Sequence, residues 1–191
     1  MDVELSEVSL GGVATIRADW TEAAQTHLKT SLDGFLSERN AEIVFYTPPD
    51  ETSQYKESDE QLVKLFSTVA NAISVHHYIP AMALPSKKEQ FDWTMGDTID
   101  SISERYDADY ALFISVKDSY ATAERAAAIA VAAILFGVAL QGGIQQGAAA
   151  LVDLDSGELA WFNQLARGAG DIRTEKPAKE TMTSLMQEFP K

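Results

Sequence analysis

Two adjacent histidines, His76 and His77, and three aspartates, Asp107, Asp109 and Asp118, are the side chains of this chain best suited to chemistry. Imidazole and carboxylate hold divalent metals, and a His–Asp pair can move protons. Their spacing argues against both uses. Helical zinc sites take two ligands four residues apart on one face, with a third following, whereas adjacent residues point about 100° apart. The remaining histidine, His27, is distant in sequence. His76-His77 therefore reads as a helix end, where imidazole meets the last carbonyls. The aspartates bracket the apolar stretch Tyr110–Val116, the pattern of solvated strand exits. The chain has no nucleophile elbow, Walker loop or dinucleotide glycine fingerprint, and no cysteine for a thiolate site or disulfide. The expectation is no catalytic residue, no cofactor and no metal. The alternative is a small-molecule or metal-dependent enzyme built on His76, His77, Asp109 and Asp118.

A different segment carries more information. From Ala126 to Val152 the chain has no charged residue, although its net charge is −14. An Ala-rich stretch, AAAIAVAAILFGVAL, is followed by a Gly/Gln hinge, QGGIQQG, and by AAALV, which enters the turn DLDSGE. As a helix, residues 126–140 rise roughly 22 Å against about 30 Å of bilayer hydrocarbon. Alanine adds little insertion energy, so a spanning helix is not expected. Ala126, Ala130, Ala133 and Gly137 form a small-residue stripe on which another backbone can pack. Ile129, Leu135, Phe136 and Val138 fill much of the remaining circumference. A helix apolar all round is enclosed by its own fold, by a partner, or by lipid. Burial between two strands of the same sheet is one reading, a protein-binding or self-association element a second, and a membrane-interface element a third. The expected partner-binding residues are Ile129, Leu135, Phe136 and Val138, with Trp161 and Phe162 beyond them.

These residues need a scaffold, and the apolar periodicities supply one. Leu10–Ile16 reads as a first strand with a bulge at Gly11-Gly12. Asp19 and Glu22 have capping-box spacing ahead of a helix from Trp20 to Arg39, with Ala24, Leu28, Leu32, Phe35 and Leu36 on one face. Residues 42–47, EIVFYT, read as a strand stopped by Pro48 and Pro49. A polar loop leads to a second helix capped by Ser58, with Leu62, Leu65, Phe66, Val69 and Ile73 inward, ending near His76-His77-Tyr78. A third helix carries Phe91, Met95, Ile99, Ile102 and Tyr106. Tyr110–Val116 is a central strand covered on both faces. A β-hairpin turns at Asp155-Ser156-Gly157. Thr174 caps a last helix with Ala178, Met182, Leu185 and Met186 inward and Pro177 in its first turn. The expected fold is α/β: a single domain over 1–191, with one mixed sheet of four to five strands, helices packed on it, and an apolar insertion at 126–147 before the C-terminal hairpin and final helix.

The acid excess, 29 Asp+Glu against 15 Lys+Arg, excludes nucleic acid as partner and opposes docking on anionic lipid by charge. Residues 107–122, DADYALFISVKDSYAT, and 142–164, GGIQQGAAALVDLDSGELAWFNQ, complete the sequence evidence. This half resembles a class of uncharacterised proteobacterial envelope lipoproteins, similar in layout to the curli-secretion lipoprotein, the lipoprotein activators of penicillin-binding proteins and the amino-terminal domain of TolB. The resemblance rests on Asp153, Asp155, Ser156, Gly157, Glu158, Leu159 and Trp161, with Asp109, Tyr110 and Ala111 on the preceding strand. It implies a non-catalytic scaffold or regulator at the periplasmic face of the outer membrane, binding protein partners or itself. The acidic opening MDVELSEVSL is unlike a secretory leader, so the implied lipidation cysteine is expected upstream of Asp2. The alternative compartment is the cytosol, with the apolar helix at an oligomer interface.

Overall fold

The computed structural model describes residues 1–39, 41–87, 90–137, 141–168 and 170–190. Five strands, β1 (Asp2–Val8), β2 (Ala14–Ile16), β3 (Tyr110–Ala121), β4 (Gln145–Asp153) and β5 (Leu159–Arg167), form one mixed sheet in the order β2-β1-β3-β4-β5. β1 and β3 run parallel and the other neighbours antiparallel. The helices are α1 (Ala18–Ser37), α2 (Lys56–His76), the single turn α3 (Asp100–Ser103), α4 (Ala123–Phe136) and α5 (Glu175–Leu185). The fold is α/β with a mixed sheet, as the element order of the sequence predicts.

Both faces of the sheet are covered, because alternate residues of a strand point to opposite sides. On one face Val3, Leu5, Ile114, Val116 and Ala149 pack against Leu28 and Leu32 of α1 and Ala178, Met182 and Leu185 of α5. On the other, Ala150, Val152 and Phe162 meet Leu62, Phe66 and Ile73 of α2 together with Met95, Ile99 and Ile102. Each fully buried Leu, Ile or Met contributes roughly 1.5–3 kcal/mol. β3 lies at the centre, with Ile114 and Val116 facing one cluster and Ala111 and Phe113 the other. The run of small residues from Gly147 to Ala150 lets helices come close. A Cβ on Gly147 would stand 3.2 Å from a Leu185 methyl carbon.

Several sequence expectations need correction. The first strand is β1, where Val3 and Leu5 alternate with acidic neighbours, and Leu10–Gly12 belongs to the turn into β2. α1 begins at Ala18, and Asp19 binds Arg17 rather than capping the helix. EIVFYT is not a strand. α2 starts before Ser58, whose hydroxyl instead donates to Tyr55 O at 2.9 Å. The third helix shrinks to the short turns of 96–103. Thr174 does precede α5, but its hydroxyl donates backwards to Asp171 O. α4 is not buried between strands: it contributes no buried residue.

Candidate functional site

α4 is delimited by its own sequence. Thr122 provides the N-cap, its hydroxyl accepting from Arg125 N at 3.3 Å, and Gly137 ends the helix in the left-handed conformation with φ +66°. Between them lies a good helix-forming run, half of it alanine. None of its residues is buried, and Val131, Ile134, Leu135 and Phe136 are 53, 82, 67 and 74 % exposed. Four large apolar side chains on one short helix thus face water.

The turn between β1 and β2 lies at the same end of the molecule. Val8 stands opposite Ala121 in the parallel register, Thr122 N donates to Val8 O at 2.9 Å, and Arg125 Nη1 donates to Ser9 O at 3.3 Å. That turn carries exposed Leu10 and Val13, and Ile144 is exposed where the chain returns to β4. Two segments far apart in sequence therefore build one apolar pole.

Of the six expected partner-binding residues, Leu135 and Phe136 are presented to solvent at this pole. Ile129 is half-buried nearer its base, and Val138 lies outside the described residues. Trp161 and Phe162 are elsewhere. Trp161 packs edge-on to Phe189 at 5.1 Å beside the α1–α5 core, and Phe162, 8 % exposed, belongs to the α2 core. The five described residues among them do not form one surface.

The root of the pole is a polar network. Asp118, near the end of β3 and 4 % exposed, accepts at Oδ2 from Tyr120 Oη and Gln145 Nε2, both at 2.6 Å. Gln145 Oε1 in turn accepts from Arg167 Nε at 2.7 Å and lies 3.0 Å from Thr181 Oγ1, which also accepts from Arg167 Nη2. The Arg167 donor at Oε1 fixes the amide orientation, so Nε2 must face Asp118. Tyr120 Oη accepts from Ile172 N at 3.1 Å while donating to Asp118. Asp171 and Arg173 close the rim as a bidentate pair at 2.7 Å, with the guanidinium stacked on Tyr120 and Trp20. Burial pushes the Asp118 carboxyl above the ordinary carboxylate range, with the Tyr120 and Gln145 donors opposing it. Burial, then the bond to Asp118, likewise raises Tyr120. Arg173 holds Asp171 below the usual range. A polar cleft of about 280 Å³ opens here, lined by Asp118, Tyr120, Gly142, Gly143 and Arg173 among others. Gly143 is required: a Cβ there would sit 1.7 Å from Ser119 O, and Ser119 and Ile144 exchange hydrogen bonds that pin the returning chain.

Comparison with known proteins finds no matching family model, no matching curated protein and no matching solved structure.

The enzyme-like constellation does not assemble. His76 ends α2, with Nδ1 2.7 Å from Met82 O, and His77 packs edge-on to Tyr78 and Phe91. Asp109 and Asp118 lie at opposite ends of β3, roughly 30 Å apart at strand rise. Asp107 precedes that strand. Among the described residues no group of three or more His, Cys, Asp or Glu is placed to hold a metal ion, and no helix is long and apolar enough to cross a membrane.

Sequence reasoning singled out Asp118 but not Gln145, Arg167, Thr181 or Arg173. One signal was available for Gln145: it is polar, inside an uncharged apolar run, at a position that re-enters a sheet. Such a residue needs a buried partner.

Proposed function

We propose that this chain is a non-catalytic scaffold or regulator of the bacterial envelope that binds protein through the pole built by α4. The observation that carries the reading is the exposure of Val131, Ile134, Leu135 and Phe136 on a helix with no buried residue. An apolar surface of this kind on an acidic protein is a contact site. The compartment, the periplasmic face of the outer membrane, and the lipid anchor upstream of Asp2 rest on the likeness of layout to envelope lipoproteins. In the cytosolic alternative the same contact serves an oligomer.

A photo-crosslinking residue placed at Ile134 in cells tests both parts, with the same residue at exposed Lys64 on α2 as control. The expected result is a protein adduct from position 134, absent from position 64, that sediments with the outer membrane. A protein free of adduct at 134 contradicts the contact, and an adduct confined to the cytosol contradicts the compartment.

A further inference from the structure

Two aspartates are buried to the same degree, Asp59 and Asp118, each 4 % exposed. Their surroundings differ. Asp59 has its counter-ion in place: Arg105 Nη2 donates to Oδ1 at 2.5 Å, and Tyr46 Oη donates to Oδ2 at 2.6 Å. Asp118 forms no ion pair among the described residues. Its donors, Tyr120 Oη and Gln145 Nε2, are neutral, and both bind Oδ2. The two arginines of the neighbourhood are engaged elsewhere, Arg167 by Gln145 and Thr181 and Arg173 by Asp171. A buried carboxylate without a paired charge is costly, and buried charges ordinarily have a partner.

Asp118 also lines the polar cleft of about 280 Å³, with Oδ1 the oxygen left for a ligand. Arg173 stands in the same wall. Asp171 takes its Nε and Nη2, which leaves Nη1, and stacking 4.0 Å from the Tyr120 ring and 4.5 Å from that of Trp20 holds the guanidinium plane. Four of the ten lining residues are glycines, so much of the remaining wall is bare main chain. The cleft thus offers one acceptor of negative charge and one donor of positive charge, with little between them that reads a side chain.

The occupant follows from charge and size. An anion would meet a body of net charge −14 and a guanidinium already neutralised by Asp171. An ammonium group supplies the counter-ion that Asp118 lacks, and a carboxylate on the same molecule answers Arg173. The volume lies just below the range of clefts that take drug-sized ligands, roughly 300–1,000 Å³, so the molecule is small. We infer that this cleft binds a small zwitterion of the amino-acid kind, its ammonium group on Asp118 and its carboxylate on Arg173. The site is separate from the α4 contact and does not rest on it.

Glycine, β-alanine and γ-aminobutyrate hold the two charges at increasing separation, and their titration into the ¹⁵N-labelled protein tests the inference. Ethylammonium and acetate, with one charge each, are the controls. At least one zwitterion should shift the amide resonances of Gly142 and Gly143 saturably, and more tightly than either control. Asp118→Asn keeps an oxygen for Tyr120 and Gln145 and should weaken that binding roughly tenfold or more. Arg173→Gln should weaken the zwitterion and leave ethylammonium unchanged. Circular dichroism checks that both variants fold, and the probe series on the wild-type protein stands whatever the variants do. The inference is overturned by the absence of a saturable shift with any zwitterion, by a control that binds as tightly as the best zwitterion, or by a folded variant at either position that binds it like the wild type.

Discussion

At the scale of single residues the decisive group is Asp118, which the sequence marks as an acid at a strand exit and the structure buries. Its partner Gln145 comes from β4, and Thr181 beside Gln145 comes from α5, so only the folded sheet brings them together. Asp118→Ala strands the Tyr120 hydroxyl and the Gln145 amide and should cost about 2–4 kcal/mol in chemical denaturation. Asp118→Asn keeps an oxygen that accepts both donors and removes the buried charge. The sign of the pH effect follows from the raised carboxyl. The folded state holds this proton more tightly than the unfolded chain, so the contribution is full below the ordinary carboxyl value of about 3.9 and declines as pH rises through the raised one. Wild-type stability should therefore fall relative to Asp118→Asn as pH rises over the interval above the ordinary carboxyl value of about 3.9. A wild-type advantage that grows over that interval would mean the ionised form is the one the fold favours.

Among the elements, legibility follows how local the cause of each structure is. The hairpin was readable because its turn is self-contained: Asp153 Oδ1 accepts from Asp155 N, Ser156 N and Ser156 Oγ, and Gly157 takes φ +70°. These four positions are among the ten that carry the likeness to envelope lipoproteins, so part of that likeness is turn chemistry. Gly157→Ala should cost about 1–3 kcal/mol, since the conformation is strained for alanine and its Cβ would meet Gly96 O at 2.7 Å. An unchanged melting temperature would contradict that. EIVFYT misled because strand propensity needs a free edge to pair with. Here Ile43 packs on the core, Phe45 lies under Lys29, and Tyr46 donates to buried Asp59. β1 was missed although Val3 and Leu5 alternate, because its other residues, Val8 apart, are acidic or polar. The long faces of α1, α2 and α5 were readable from spacing alone, as three-to-four periodicity survives any tertiary context.

For the whole molecule, the sequence located the unusual segment but not its exposure. Nothing in AAAIAVAAILF distinguishes a helix covered by its own sheet from one left outside it. That distinction depends on β3 and β4 being antiparallel neighbours, so the insertion springs from a hairpin end rather than crossing a face. The result is an acidic body with an uncharged apolar pole, stabilised at its root by the Asp118 network. The central claim, that α4 serves contact and not the core, is tested most directly by replacing residues 124–142 with a short Gly/Ser turn and measuring sedimentation velocity and thermal unfolding on the same sample. The account predicts a monomer that melts within a few degrees of the wild-type protein, because α4 contributes no buried residue to the core. An unfolded protein, or one that still associates as the wild type does, would contradict it.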